Sequence, residues 1–142
     1  MKKIKFLLCT FTFSLLMGCV SYNHPSIKGM SEKSYAIVFA NDLRFSITAF
    51  DGKEIFLKKI TSVNKLSLPS GEHAITALYD QVTISTKPIT KIVILEPGVK
   101  YDLVGEIDSQ NSRWDFHIVS QSDGSYADQK KTRFNSLFNQ GL

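Results

Sequence analysis

Alternating apolar and polar residues, interrupted by turn-forming residues, dominate the chain between positions 34 and 120. Alternation with a period of two is typical of strands that bury one face. No segment before position 120 has a helical period long enough to connect parallel strands. The pattern predicts about eight short strands, at 35–40, 44–50, 54–58, 63–68, 73–79, 89–95, 101–107 and 113–119.

Turn sequences between these segments indicate the same architecture. Asp51-Gly52 is typical of a type I′ hairpin turn, which needs positive φ at both central residues. Leu68-Pro69-Ser70-Gly71 has the residue preferences of a type I turn, and Glu96-Pro97-Gly98-Val99 those of a type II turn. The sequence therefore predicts an all-β fold, a single antiparallel β-sandwich of about 7–8 short strands over residues 34–120.

The predicted strands differ in how their faces are occupied. Residues 35–40 are apolar on both faces, which is typical of a central strand. Phe45, Ile47 and Ala49 alternate with polar residues and are predicted to share one buried face. His73 follows a turn glycine, so we expect it at an exposed strand start.

The first residues of the chain have the organisation of an export signal. Lys2, Lys3 and Lys5 form a positively charged start, and residues 6–17 are mostly apolar. This run is shorter than the roughly 20 residues that cross a bilayer as a helix, and it fits the apolar part of a cleaved signal. Leu16-Met17-Gly18-Cys19 resembles the lipobox of bacterial lipoproteins.

The lipobox resemblance implies that a signal peptide, residues 1–18, is removed and that Cys19 receives a diacylglycerol thioether. Several acyl chains on one cysteine anchor a protein stably in a membrane, whereas a single chain holds only marginally. Val20 stands where an Asp resembles an inner-membrane retention signal. We therefore expect a lipid-anchored protein of the cell envelope, in the outer membrane if there are two. An ordinary secretory signal with a chance cysteine is the alternative.

Charge and cysteine content change the picture once the leader is set aside. The whole chain carries a net charge of +4, but Lys2, Lys3 and Lys5 belong to the leader. The remaining chain is close to neutral, which excludes the basic surface expected of a nucleic-acid-binding protein. Cys9 leaves with the leader and Cys19 is consumed by lipid. No thiol then remains for a disulfide, a metal site or a nucleophile.

Catalytic signatures are missing from the sequence. It contains no Gly-x-Ser-x-Gly motif and no glycine-rich phosphate loop, and its histidines lack the spacing of a helical metal site. Asp102 and Glu106 share a predicted strand face and are the best candidates for acid–base chemistry or cation binding, but a solvated outer face is the simpler explanation. We therefore predict that the protein is not an enzyme and has no cofactor or metal ion.

Two polar segments flank the predicted sandwich. Residues 19–33 are interpreted as the lipidated cysteine followed by a flexible tether. Residues 121–142 are interpreted as a polar tail, in which Phe134, Leu137 and Phe138 place an apolar stripe on a short helix. This stripe either packs across the open end of the sandwich or contacts a membrane or a partner.

Three stretches of the sequence carry a family resemblance. Asp51-Gly52-Lys53 is followed by Leu68-Pro69-Ser70-Gly71-Glu72-His73 and then by Leu95-Glu96-Pro97-Gly98-Val99-Lys100. This order resembles the PEGA-like and related transthyretin-like sandwich domains of bacterial surface proteins, over residues 44–107. The resemblance implies a non-enzymatic envelope module. It carries over no functional residue, because the matching glycines and prolines shape the backbone.

Aromatic residues are the candidate ligand or partner contacts, namely Trp114, Phe134 and Phe138. An exposed aromatic face can stack on sugar rings, but a lone tryptophan at strand spacing more often lies in a core. The sequence predicts a membrane-anchored lipoprotein that binds an envelope protein without catalysis, through a sheet edge or the C-terminal segment. The alternative is a lipoprotein that binds glycan or peptidoglycan through an aromatic face.

Overall fold

The computed structural model describes residues 20–55, 63–80 and 87–128. Within these ranges it contains nine strands, and two short 3-10 turns lie at Pro25–Ile27 and Glu32–Ser34. The strands are β1 (Val20–Asn23), β2 (Tyr35–Phe39), β3 (Phe45–Phe50), β4 (Lys53–Glu54), β5 (Val63–Pro69), β6 (Gly71–Tyr79), β7 (Ile89–Leu95), β8 (Lys100–Asp108) and β9 (Arg113–Ser120).

These strands form one sheet that curls into a nearly closed, sandwich-like barrel. The strand order is β7-β6-β3-β5-β2-β8-β9, with β1 added to β5 and β4 added to β3. Among the described residues, β3 and β5 are joined through one residue pair, Ile47 and Val63, so the two halves of the sheet can diverge there into layers. The predicted all-β, sandwich-like fold is confirmed.

Two of the strand pairings run parallel, although the sequence indicated an antiparallel fold. β1 pairs with β5 and β2 pairs with β8 in the parallel direction. Parallel neighbours need a long connection, and the lack of a helical segment before position 120 predicted that none would form. Here intervening strands make the connection, since β2, β3 and β4 lie between β1 and β5 along the chain.

Alternating residues of the long strands fill the space inside the barrel. Every second residue of β9 is buried, beginning with Trp114, as the alternation predicted. In β2, Ala36, Ile37 and Val38 are all buried, as predicted for a central strand. The largest fully buried side chains are Tyr79, Tyr101, Phe50, Phe116, Ile47, Leu66, Leu68, Ile75, Leu95, Ile118, Val38 and Val63.

Two of the three predicted turns have the expected geometry. Asp51 and Gly52 have φ values of 47° and 73°, and the flanking strands β3 and β4 pair as a hairpin. Gly98 has a φ of 73°, as the third position of a type II turn requires. The third turn is a corner instead: Ser70 alone separates β5 from β6, and these strands do not pair with each other, because β3 lies between them in the sheet.

A β-bulge interrupts the predicted alternation in β3. The register between β3 and β6 shifts between Ile47 and Ala49. A bulge adds one residue to one strand and reverses the faces beyond it. As a result Phe50 is buried, while Ala49 is only partly buried and the prediction that it shares the core face of Phe45 and Ile47 is corrected.

The segment predicted as a flexible tether belongs to the folded domain. Strand β1 begins at Val20 and pairs with β5, and Ile27 is buried. The alternation of Val20 and Tyr22 with polar residues spans only four positions, too few to be distinguished from a polar linker. The tether interpretation of residues 20–33 is therefore corrected; Cys19 lies outside the described residues.

The segment after β9 also contributes to the fold up to residue 128. Residues 121–125 form an irregular polar loop, and Tyr126 then makes an antiparallel bridge to Val119. Ala127 is buried in the core cluster. The first part of the predicted polar tail is thus a structured return along β9. The predicted helical stripe of residues 134–138 lies outside the described residues.

Candidate functional site

The two edge strands of the sheet, β7 and β9, are joined by the segment that follows β9. The amide of Ile94 in β7 donates to the carbonyl of Ala127 at 3.1 Å. The amide of Ala127 donates to the carbonyl of Ile118 in β9 at 2.8 Å. We call this junction, residues 126–128 between β7 and β9, the seam.

Four ionisable side chains meet beside the seam, namely Lys91, Asp115, His117 and Asp128. Lys91 Nζ lies 3.0 Å from a carboxylate oxygen of Asp115 and 3.5 Å from one of Asp128. His117 Nδ1 lies 2.8 Å from Asp128 Oδ2. These four residues, the seam cluster, connect β7, β9 and the returning segment by ion pairs and hydrogen bonds.

Asp128 is the most enclosed member of the seam cluster, because its side chain is only 7% exposed. A buried carboxylate is costly to desolvate unless partners compensate its charge. Here Lys91 compensates the charge, His117 Nδ1 lies within hydrogen-bond distance of Asp128, and the amide of Ile118 approaches Asp128 Oδ1 at 3.4 Å. Lys91 Nζ also lies 5.4 Å from the centre of the Phe116 ring, in cation–π contact. The polar groups of the cluster are thus engaged with one another.

The predicted pair of carboxylates on β8 is not brought together. Asp102 accepts hydrogen bonds from the side chains of Asn41 and Gln121, each at 3.0 Å. Glu106 lies about 13 Å further along the strand, with Oε1 3.8 Å from His117 Nε2. In the ranges that the structure describes, no group of three or more His, Cys, Asp or Glu residues is arranged to hold a metal ion.

His73, predicted at an exposed strand start, is instead buried between two turns. Its Nδ1 lies 2.7 Å from Asp51 Oδ2, and its Nε2 lies 2.8 Å from the carbonyl of Pro69. The amide of Ala74 donates to Asp51 Oδ1 at 2.8 Å. Burial alone raises the pKa of Asp51, but the hydrogen bonds from His73 and Ala74 outweigh it and lower that pKa below its ordinary value. His73 therefore has a structural role.

Trp114 packs in the core, with 8% of its surface exposed. Its ring lies 5.9 Å from Phe45, 6.0 Å from Tyr79 and 6.3 Å from Phe116, measured between centroids. These distances are typical of packed aromatic clusters. Trp114 is therefore not an exposed stacking platform for a sugar.

An open cavity of about 390 Å³ lies beside the hairpin that connects β8 and β9. The Asp108 carboxylate accepts from the amide and side chain of Asn111 and from the amide of Gln110, which lowers the pKa of Asp108. The Asp108 carboxylate thus stabilises the hairpin turn, and the Asp115 carboxylate forms an ion pair with Lys91 in the seam cluster. The cavity is lined by Glu106, Ile107, Asp108, Arg113, Trp114 and Asp115.

The remaining predicted site residues, Cys19, Phe134 and Phe138, lie outside the described residues, so their roles stay predictions. The seam cluster, by contrast, was missed by the sequence analysis. Lys91 is distant in sequence from Asp115 and Asp128, and only the closure of the barrel brings them together. No local motif signals such a contact.

Strand β7 also carries backbone groups that no described strand pairs. The amide of Ile94 donates to Ala127, on the side of β7 that faces away from β6. Because the backbone groups of successive strand residues point to opposite sides, Thr90 and Ile92 also direct their N–H and C=O groups away from β6. In the part of the chain that is described, no strand lies against this half of β7. The side chain of Ile92 is exposed. Such an edge can accept an added strand from another chain.

No protein-family model, curated protein or solved structure matches this chain. The resemblance to PEGA-like and transthyretin-like domains therefore stays a prediction from the turn motifs. Within residues 20–55, 63–80 and 87–128, no helix is long and apolar enough to cross a membrane.

Proposed function

We propose that this chain is an exported lipoprotein, anchored through lipid on Cys19, whose β-sandwich acts as a non-catalytic binding module for an envelope protein. The observation that carries the proposal is the lipobox-like Leu16-Met17-Gly18-Cys19 behind a basic and apolar leader.

The sheet edge of β7 supports the choice of a protein partner. Main-chain hydrogen bonds to an edge strand give affinity for an extended peptide, and neighbouring side chains give specificity. Thr90 and Ile92 offer such an edge, whereas the seam cluster has its charges engaged internally. The burial of Trp114 weighs against glycan binding through an aromatic face.

Substitution of the two cysteines tests the anchor. Cys19→Ser removes the proposed attachment atom, so the protein is expected to lose incorporation of labelled palmitate and to leave the membrane fraction. Cys9→Ser is the matched control, because Cys9 lies inside the leader and its loss should leave lipidation intact. A Cys19→Ser protein that stays in the membrane at its mature size would refute the lipid anchor.

Photo-cross-linking in living cells tests the partner. A photoreactive amino acid at Ile92, on the β7 edge, is expected to form a discrete adduct with one protein. The control position is Lys65, which is partly exposed but lies in strand β5 at a point where it pairs with Ser21 of β1 and Phe39 of β2. Equal adducts at both positions would argue against the edge, and adducts with peptidoglycan alone would favour the glycan alternative.

A further inference from the structure

Strand β1 connects the proposed lipid site directly to the barrel. Val20 pairs with Val63 at the start of β5, and the amide of His24 donates to the carbonyl of Ser67 at 2.9 Å further along. One residue spans at most about 3.6 Å. A lipid on Cys19 would therefore be held next to the end of the barrel at which β5 begins, with no flexible spacer between them.

The same end of the barrel carries the loop between β2 and β3, residues 41–44. β2 runs antiparallel to β5, and the amide of Ala40 donates to the carbonyl of Asn64 at 2.8 Å, so β2 finishes where β5 starts. The following turn is closed by a hydrogen bond from the Phe45 amide to the Asp42 carbonyl at 3.0 Å. Leu43 lies at the tip of this turn and is 83% exposed.

The opposite end of the barrel carries Ser70, in the corner that follows β5. Strand β5 has seven residues, and a strand rises about 3.3 Å per residue. The two ends are therefore separated by roughly 20 Å along β5. This distance is comparable to the depth of a lipid headgroup layer plus several water layers, so probes at the two ends report different environments.

We infer that the barrel end formed by Val20, Val63 and the loop 41–44 lies on the phospholipid surface, with Leu43 in the interface and Ser70 facing away. This inference rests on the proposed lipid anchor at Cys19. The occupant of this surface is the bilayer that holds the anchor, because the short connection from Cys19 to Val20 keeps this end of the barrel next to the membrane. An exposed leucine at a loop tip suits the boundary between headgroups and acyl chains.

Single-cysteine labelling tests this orientation in the full lipidated protein. After processing, Cys9 is absent and the Cys19 thiol would be blocked, so Leu43→Cys and Ser70→Cys can each be labelled alone with the same nitrobenzoxadiazole dye. Both proteins are reconstituted in vesicles of phosphatidylethanolamine and phosphatidylglycerol that contain a spin-labelled phospholipid quencher. We expect several-fold stronger quenching at position 43 than at position 70.

The outcomes separate the inference from the proposal on which it rests. Equal quenching at the two positions, or stronger quenching at position 70, in protein that floats with the vesicles would overturn the orientation and leave the anchor intact. Protein that does not float would overturn the anchor and the orientation together. Hydrogen exchange of the unlabelled protein gives a second measurement, with vesicles expected to slow exchange in residues 41–44 but not in residues 96–99.

Discussion

Trp114 is the only tryptophan in the chain, so its fluorescence reports one position. Because its ring is enclosed by Phe45, Tyr79 and Phe116, we expect acrylamide to quench it weakly and its emission to lie at short wavelength. The same protein unfolded in urea is the control and should be quenched several-fold more strongly. Strong quenching in the folded state would instead show that Trp114 is exposed, as the glycan-binding alternative requires.

Gly105 in β8 is required because the ring of Phe45 lies on its backbone. A Cβ added at this position would stand 2.0 Å from Phe45 Cζ, which no packed structure tolerates. Replacing a strand glycine by alanine usually stabilises a protein, but here the overpacking is expected to cost about 1–3 kcal/mol. Urea unfolding of Gly105→Ala measures this.

Val104→Ala, at an exposed neighbouring position, is the control for Gly105→Ala. Its effect is expected to stay within about 0.5 kcal/mol, as for most surface substitutions. A Gly105→Ala protein as stable as the wild type would mean that the Phe45 ring has room to move away from β8.

Asp51 links stability to pH through its contact with His73. Its pKa is lowered in the folded state, so the stabilisation is present above the unfolded-state pKa, about 3.9, and is lost as the pH falls through the folded value. Asp51→Asn keeps an Asn-Gly turn sequence but removes the charge. Because the Asp51 side chain is 42% exposed, solvent screening limits the expected loss at pH 7 to about 1 kcal/mol or less.

The measurement is the melting temperature of wild type and Asp51→Asn between pH 7 and pH 3. We expect the difference between them to shrink toward acid pH, where Asp51 becomes protonated in both states. Asp80→Asn, an exposed position at the end of β6, serves as the reference substitution. A difference that is constant across this range would contradict an ionic contribution from Asp51.

At the scale of elements, the contribution of strand β1 to stability tests whether the segment after Cys19 is part of the folded domain or a tether. The ring of Tyr22 lies 5.2 Å from that of Phe50, and Lys53 Nζ lies 3.1 Å from the Tyr22 hydroxyl. Tyr22→Ala is therefore expected to lower the free energy of unfolding by about 1–2 kcal/mol. Ser21→Ala, on the exposed face of the same strand, is the control, and identical melting of all three proteins would indicate a tether.

How far the sequence predicts an element depends on where the element finds its partners. Strands such as β9 bury alternate residues, so the strand can be predicted from its own sequence without knowledge of its neighbours. The Asp51-Gly52 hairpin is likewise specified by adjacent residues. The bulge after Ile47 cannot be predicted from the sequence of β3, because it arises from the register of β3 against β6. Strand β1 is too short to give a period, and its partner β5 is distant in the chain.

The candidate site is less predictable than the fold for the same reason. The lipobox-like leader is a motif of adjacent residues, and its role stays a prediction. The seam cluster consists of Lys91 and three residues that follow it much later in the chain, and each one separately resembles a solvated surface charge. Closure of the barrel creates the site, and closure depends on the whole molecule.

At the scale of the whole molecule, the seam decides whether the barrel stays closed. Asp128→Asn preserves the shape of the side chain but removes the charge that faces Lys91 and His117. Removing one partner of an enclosed charge pair is strongly destabilising. Here the lost contacts are those that hold β7 and β9 together at the seam. We expect local opening to increase, so that the amides of Ile94 and Ala127 exchange with solvent roughly tenfold faster, the equivalent of about 1.4 kcal/mol.

Native-state hydrogen exchange distinguishes this local opening from general destabilisation. If the seam is an independent closing element, the amide of Val38 in the central strand β2 should retain its protection while Ile94 and Ala127 lose theirs. Asp123→Asn, in the exposed loop before the seam, should change neither. Equally faster exchange of the Val38 amide would show that the barrel opens only as a unit. A partner would then have to bind the edge of β7 while the barrel is closed.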